Sequence, residues 1–296
     1  MKRVRISQIC RKNGFLYTLY NLPRLLTGYY PLFLDYPLRP LARWGYGKAA
    51  HPELERMLAE RAEEYRGRLR GFLGLREVLL RIPTRAPKRS PEPCWINDWL
   101  EGLDTLALYG LVAERRPRTY LEVGSGYSTK VVRRAVRDQG LGTRIVSVDP
   151  HPRAEIDALC DEVVREPLEM VGLERFAALA PGDILFVDGS HRVFQNSDVT
   201  VLFLDILPRL QPGVLVHIHD IYLPADYMPE RAGCYYSEQY MLGAQLLAGH
   251  QNFEVVLPNA FVGMHPEIGG VLDGFWQEAQ MRDVPRGGTS FWVEMK

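Results

Sequence analysis

The chain has 296 residues, equal numbers of basic and acidic side chains, and 46% hydrophobic residues. This is the composition of an ordinary globular protein, and its zero net charge provides no overall field that would attract nucleic acid. No apolar run approaches the roughly 20 residues of a membrane-spanning helix. Four widely spaced cysteines without a CxxC pair argue against a zinc ribbon or a disulfide framework. We therefore expect a cytoplasmic protein without a signal peptide.

The N-terminal part differs from the rest in charge. Residues 1–50 carry nine Lys or Arg side chains against one acid, together with nine aromatic residues. Such a segment is typical of an arm that contacts a partner or an anionic surface. The alternative, which we favour, is an extension that packs on the main domain.

Two further features set the predicted domain boundary. After His51, apolar residues at three- and four-residue steps predict a helix that begins at Pro52 and continues to Leu73. Four prolines within residues 81–93 then indicate a linker. We predict a helical, basic extension over residues 1–90 and a second domain over residues 91–296.

Short apolar runs alternate with helical stretches from residue 95 onward. The β-branched runs are TYLEV (119–123), RIVSV (144–148), DILFV (183–187) and GVLVHI (213–218). Near-continuous apolar strands separated by helices predict an α/β fold, with a Rossmann-like, doubly wound, mostly parallel sheet. TSFWVE (289–294) predicts a late antiparallel strand. Because ligands of such sheets bind outside the carboxyl ends of the strands, polar residues there are the candidates for function.

A glycine pair follows the first of these strands, in YLEVGSGYSTKVV. A nicotinamide-binding loop would have a third glycine where Thr129 stands, and a phosphate-binding loop would have Gly-Lys-Ser/Thr. What the sequence has instead is Glu122 two residues before the first glycine and Asp149 at the end of the second strand. A carboxylate at that second position can accept hydrogen bonds from both hydroxyls of a ribose.

This arrangement resembles class I S-adenosylmethionine-dependent methyltransferases. VSVDPHPR, DILFVDGSH, LPRLQPGVLVHIHDI and YSEQYMLGAQLL are similar to bacterial small-molecule methyltransferases with a DGxH signature on the fourth strand. The likeness spans residues 95–296 and implies a seven-stranded sheet with S-adenosyl-L-methionine as cofactor. The residues that it implies at the cofactor are Glu122, Gly124, Ser125, Gly126, Tyr127, Ser128, Asp149, Pro150, Pro167, Leu168 and Asp188.

Four polar side chains follow the fourth and fifth predicted strands, namely Asp188, His191, His219 and Asp220. The chain is similar here to metal-dependent O-methyltransferases that act on catechols or macrolide sugars, which hold a divalent ion with acids after these two strands. The resemblance implies Asp188, His219 and Asp220 as metal ligands. It implies His191 as the base that takes the acceptor's proton, with Asp188 and His219 also in the catalytic group.

The identity of the metal, and whether one is used, stay open in the sequence. His219 stands where the sugar enzymes have a carboxylate, and imidazole suits Mn²⁺ or Fe²⁺ better than Mg²⁺. The alternative is a metal-free reaction in which His191 or His219 alone is the base. His217 lies one pleat further inside an apolar strand, so we predict that it is a core histidine.

We predict a methyltransferase that moves a methyl group to a hydroxyl of a small-molecule or sugar-like acceptor. Nucleic acid is not an expected substrate because the predicted catalytic part is acidic, and a homo-oligomer is left open. Two other classes stay as alternatives. One is a nicotinamide-dependent oxidoreductase, and the other is a domain that binds a cofactor or a partner without turnover.

Overall fold

A twisted β-sheet forms the centre of the protein in a computed structural model that describes residues 19, 22–27, 40–87, 89–152, 154–249 and 252–296. Its strands are β1 (Thr119–Val123), β2 (Arg144–Val148), β3 (Glu162–Val164), β4 (Ile184–Val187), β5 (Leu215–Ile218), β6 (Phe253–Pro258) and β7 (Phe291–Met295). The spatial order is β3-β2-β1-β4-β5-β7-β6. The pairs from β3 to β5 are parallel, and β7 runs antiparallel to both β5 and β6. The Rossmann-like, doubly wound sheet with a late antiparallel strand is thereby confirmed.

Helices cover the sheet. The α-helices are α1 (Pro52–Ala59), α2 (Ala62–Leu73), α3 (Arg76–Leu80), α4 (Gly102–Arg115), α5 (Tyr127–Asp138), α6 (Glu174–Ala177), α7 (Asp198–Val201), α8 (Glu238–Leu247), α9 (Asn259–Met264), α10 (Pro266–Gly269) and α11 (Asp273–Trp276). Short 3₁₀ helices include Leu168–Met170 after β3 and Pro229–Cys234 after β5. No helix in the described ranges is both long and apolar enough to cross a membrane.

The strand order places the candidate residues at one edge of the sheet. β1 lies between β2 and β4, so the direction in which the strands are added reverses between β1 and β4. In open α/β sheets, ligands bind in the crevice at such a switch point, outside the carboxyl ends of the strands. β4 and β5 are completely buried apolar strands apart from one histidine, which fits a sheet covered on both faces.

The described part of the N-terminal extension packs on the sheet domain. Leu58 of α1 and Tyr65, Leu69 and Phe72 of α2 belong to the same buried core as the strands. A Cβ added at Gly110 of α4 would lie 2.4 Å from the Phe72 ring, so the two helices touch where this glycine removes the side chain. Residues 1–18, 20–21 and 28–39, which hold much of the predicted basic arm, lie outside the described residues.

The helix predicted from Pro52 to Leu73 is two helices. α1 ends where the amide of Arg61 turns back to the carbonyl of Leu58, and α2 begins at Ala62. The Arg61 guanidinium then pairs with Glu64 and with Glu254 of β6. The apolar periodicity continues across this break because both helices press the same face on the core, so the pattern alone did not reveal it.

Candidate active site

The glycine loop between β1 and α5 crosses directly over the end of β4. Gly124 has φ of 80°, and a Cβ added there would lie 1.9 Å from the carbonyl oxygen of Asp188. Only glycine fits this left-handed conformation together with so close a backbone approach. The amide of Gly126 donates to Thr129 Oγ1 at 3.1 Å. Thr129, which stands where a third glycine would be in a nicotinamide loop, therefore caps the turn.

Glu122 lies beneath this loop. Its carboxylate is fully buried, accepts a hydrogen bond from the Thr129 hydroxyl, and accepts another from the Tyr120 hydroxyl at 3.2 Å. Burial raises the pKa of Glu122 to about 7, against the opposing effect of the hydroxyl groups that bond to it. In this position Glu122 fixes the shape of the loop through Thr129.

Asp149 connects the loop after β2 with the glycine loop. Its Oδ2 accepts a hydrogen bond from the Ser125 amide at 2.7 Å, and its Oδ1 accepts one from the His151 amide at 2.7 Å. The Ser125 hydroxyl lies 2.6 Å from that of Ser147 in β2. Asp149 is partly exposed, so its carboxylate keeps lone pairs that face the crevice while the backbone holds it in place.

The other residues predicted at the cofactor follow the ends of β1, β2 and β3. Tyr127 and Ser128 open α5, and the Tyr127 hydroxyl donates to the carbonyl of Cys94, which brings the segment before α4 against the loop. Pro150 is partly exposed beside Asp149. Leu168 is buried and Pro167 is exposed at the start of the 3₁₀ helix after β3.

His191 is the centre of a cluster of three carboxylates beside the crevice. Its Nε2 lies 3.1 Å from Asp188 Oδ1 and 3.6 Å from Asp220 Oδ2, and its Nδ1 lies 2.8 Å from Glu238 Oε2. His191 and Asp220 both have positive φ, of 60° and 53°. This sparsely populated conformation is common at functional sites, and here it turns the two side chains toward each other.

The carboxylates determine the charge of His191. Burial alone would lower its pKa, but the hydrogen bonds and charges of Asp188 and Glu238 raise that pKa well above the usual value. Both ring nitrogens face carboxylate oxygens, so both donate N–H groups, as in an imidazolium. Burial in turn raises the pKa of Glu238, against the effect of His191.

The two histidines of β5 and its end differ in their surroundings. His217 is fully buried, lies 2.9 Å from the Ser290 hydroxyl and stacks on Phe186 with ring centres 3.7 Å apart. Burial, followed by the proximity of His219, lowers the pKa of His217 well below its usual value. It is the core histidine that the sequence predicted.

His219 is also buried but lies near the cluster. Burial would lower its pKa, and the nearby carboxylates of Asp188, Asp104 and Asp220 outweigh that effect and raise it. Its Nδ1 has no hydrogen-bond partner. The nearby carboxylates therefore favour the protonated form of His219.

Two residues of this site are not among the site residues predicted from the sequence. Glu238, at the first position of α8, is 1% exposed and holds His191 Nδ1. Arg231, in the 3₁₀ helix after β5, has Nη1 3.7 Å from Asp220 Oδ2 and lies over the Tyr236 ring. An acid on the buried side of a predicted helix was the available signal for Glu238. Nothing in the sequence marked Arg231.

Asp226 fastens the N-terminal segment to the loop that carries Arg231. Its Oδ2 accepts hydrogen bonds from the amides of Arg43 at 2.5 Å and Trp44 at 3.2 Å, and its Oδ1 accepts one from the Tyr240 hydroxyl at 3.0 Å. The Tyr46 hydroxyl donates to the Asp226 carbonyl at 3.0 Å. We call this set of contacts the arm clasp; it joins residues 43–46 to the loop that follows β5.

The residues predicted to hold a metal do not form a metal site in this geometry. Among the described residues, no group of three or more His, Cys, Asp or Glu side chains is arranged to hold an ion. Asp220 Oδ2 is faced instead by two cationic side chains, with His191 Nε2 at 3.6 Å and Arg231 Nη1 at 3.7 Å. Asp220 Oδ1 is within 3.4 Å of the Thr289 hydroxyl and 3.5 Å of the Tyr222 hydroxyl. The metal stays a prediction from the resemblance.

Comparison with known proteins adds a family match over the same edge of the sheet. Residues 121–221, which run from β1 to just past Asp220, match the family model described as a methyltransferase domain. This match supports a class I S-adenosylmethionine-dependent methyltransferase domain. A comparison with curated proteins gives no match.

Solved structures similar to the chain have low sequence identity. A methyltransferase from Podospora anserina, bound to S-adenosylhomocysteine, is 16% identical, with 76% of this chain and 88% of that chain covered and a TM-score of 0.39. An O-methyltransferase from Bacillus cereus is 18% identical, with 77% and 90% covered and a TM-score of 0.36. An O-methyltransferase of tomaymycin synthesis from Streptomyces achromogenes is 19% identical, with 64% and 77% covered and a TM-score of 0.31.

Proposed function

We propose that the protein transfers a methyl group from S-adenosyl-L-methionine to a hydroxyl of a small-molecule or sugar-like acceptor. The observation that carries the proposal is the joined pair of loops at the switch point, in which Asp149 holds the Ser125 amide of the glycine loop. A partly exposed carboxylate beside a close-packed glycine turn suits a ribose and a zwitterionic methionine tail better than a pyrophosphate. The family match over residues 121–221 supports the same chemistry.

The cluster around His191 supports a hydroxyl as the acceptor. Methyl transfer from a sulfonium is an in-line displacement that needs alignment and a nucleophile that loses its proton as it attacks. We propose that the carboxylates of Asp188 and Asp220 receive that proton as a coupled pair beside His191, whose Nε2 lies 3.1 Å from Asp188 Oδ1 and 3.6 Å from Asp220 Oδ2. The raised pKa of His191 keeps it protonated, so that its charge stabilises the developing alkoxide.

The surroundings of the cluster favour a small acceptor. Tyr222, Tyr227 and Tyr236 form an edge-to-face chain of rings above it, and the Tyr236 ring centre lies 4.6 Å from that of His191. Such a wall suits a compact ring-shaped molecule. We also propose a reducing, cytoplasmic location, because the four cysteines of the sequence are widely spaced and include no CxxC pair.

Calorimetry with S-adenosylhomocysteine tests the cofactor assignment. We expect one molecule to bind per chain, and Asp149→Asn to weaken binding at least about tenfold because one ribose acceptor is lost. The matched control is Asp283→Asn, at an exposed acid, which should bind as the wild type does. Absence of binding to the wild type, or equal binding by Asp149→Asn, would refute the proposal. An absorbance change on titration with a reduced nicotinamide would favour the oxidoreductase instead.

The acceptor is tested by release of S-adenosylhomocysteine in the presence of a panel of hydroxylated small molecules. With an active acceptor, we expect His191→Gln to lower kcat at least about 100-fold with unchanged KM for S-adenosyl-L-methionine. A variant that kept full kcat would contradict the role of the cluster. A wild type that binds the cofactor and methylates amines or thiols in preference to hydroxyls would contradict the acceptor class.

A further inference from the structure

Two cationic side chains meet at one oxygen of Asp220. His191 Nε2 lies 3.6 Å and Arg231 Nη1 lies 3.7 Å from Asp220 Oδ2. The other oxygen of Asp220 faces the hydroxyls of Thr289 and Tyr222. Both oxygens of the Asp220 carboxylate therefore face hydrogen-bond donors. A metal ion that bound this carboxylate would have to displace these donors.

Arg231 contacts the Tyr236 ring in addition to the carboxylate of Asp220. Its guanidinium lies 5.7 Å from the centre of the Tyr236 ring, and the guanidinium of Arg192 lies 5.2 Å from the same ring centre. Arg192 is itself fixed, since its Nε donates to the Cys234 carbonyl and its Nη1 to the Ser190 carbonyl. The ring and the neighbouring arginine limit where Arg231 can go.

An arginine cannot leave this site by losing its charge. The guanidinium stays protonated at every accessible pH, so a divalent ion at Asp220 would face a fixed positive charge a few ångströms away. His191, bonded to Asp188 on one side and Glu238 on the other, adds a second donor at the same place. The positive charge that a divalent ion would bring is already supplied by the chain.

We propose that Arg231, together with His191, occupies the place of a divalent ion at Asp220, so that the wild-type site does not take up a metal. This inference rests on the proposed function, in which the same cluster activates the acceptor. Arg231 is a positioning residue here: it holds Asp220 toward His191 and neutralises its charge. The arm clasp fixes the loop that brings Arg231 to this position.

Binding of Mn²⁺ alone to protein saturated with S-adenosylhomocysteine tests the proposal, with free Mn²⁺ measured by electron paramagnetic resonance. We expect no saturable site in the wild type at sub-millimolar Mn²⁺. Arg231→Ala should gain one site per chain, at least about tenfold tighter than any wild-type binding, because a nearby positive charge is removed. Arg231→Ala combined with Asp220→Asn should lose that site, and Arg231→Lys, which keeps the charge, should behave as the wild type does.

The controls separate this inference from the proposed function. Arg209→Ala removes an exposed arginine that pairs with Asp205 and should leave Mn²⁺ binding unchanged. The affinity for S-adenosylhomocysteine, measured in every variant, reports on folding and on the proposed function independently of the metal. One Mn²⁺ bound by the wild type and lost in Asp220→Asn would overturn the inference, as would failure of Arg231→Ala to gain a site while it still binds the cofactor product.

Discussion

The buried Glu122 should make the stability of the protein depend on pH in a specific window. Burial raises its pKa from the usual 4.5 to about 7, a difference that corresponds to about 3 kcal/mol. The folded protein binds the proton of Glu122 more tightly than the unfolded chain does. Protonated Glu122 therefore adds to the free energy of unfolding below pH 4.5, and this contribution is lost as the pH rises through 7. Glu122→Gln removes the titrating group and keeps a side chain of the same size.

The assay is urea unfolding of the wild type and of Glu122→Gln at pH 5 and pH 8. Over this interval the wild type should lose about 2–3 kcal/mol of unfolding free energy relative to the variant. Glu166→Gln, at an exposed acid of the same sheet edge, is the matched control and should follow the wild type. If Glu122→Gln shows the same pH dependence as the wild type, Glu122 is not the buried, proton-binding support of the glycine loop.

Three further predictions concern other parts of the structure. Gly124→Ala should weaken binding of S-adenosylhomocysteine more than about tenfold, because its Cβ would overlap the backbone after β4 at a positive φ; Gly142→Ala, where a Cβ meets nothing within 4 Å, is the control in the same calorimetry. The wild type should lose stability as the pH falls below about 6.5, because His217 takes up a proton in the unfolded chain but stays neutral when buried in the folded protein. His217→Phe should lack this part of the pH dependence in urea unfolding. Asp226→Ala should cost about 2 kcal/mol in urea unfolding, because it leaves the partly buried donors of the arm clasp without their charged acceptor.

Each of these predictions has an outcome that would count against it. Equal binding by the Gly124 and Gly142 variants would mean that the glycine loop does not approach β4 as closely as described. Parallel acid unfolding curves for the wild type and His217→Phe would contradict a neutral core histidine. A loss below about 1 kcal/mol in Asp226→Ala would show that the arm clasp contributes no more than an ordinary surface contact.

The sheet could be predicted because its strands carry their own signal. β1 and β2 coincide with the predicted apolar runs, which end at Val123 and Val148. β4 and β5 begin one and two residues later than the predicted runs. Completely buried parallel strands read as continuous apolar runs, and the polar residues that follow them mark one edge. The positions of Gly124, Asp149, His191 and Asp220 at this edge followed from the alternation of strands and helices.

The contacts that give the site its chemistry were not readable from the chain. His191 and Glu238 are 47 positions apart, and the arm clasp joins residues more than 180 positions apart. Such pairs depend on where loops return to the sheet, which no local pattern encodes. The resemblance placed His219 beside Asp188 and Asp220 as a ligand, whereas in the structure His191 and Arg231 are the cationic side chains at Asp220.

A crystal structure of the protein with S-adenosylhomocysteine would show directly where the cofactor product binds. We expect a nucleoside in the crevice between β1 and β4, with the ribose hydroxyls bonded to Asp149, the amino-acid tail on the glycine loop, and the sulfur directed toward Asp188 and His191. A nucleoside bound elsewhere, or a sulfur directed away from this cluster, would contradict the proposed function.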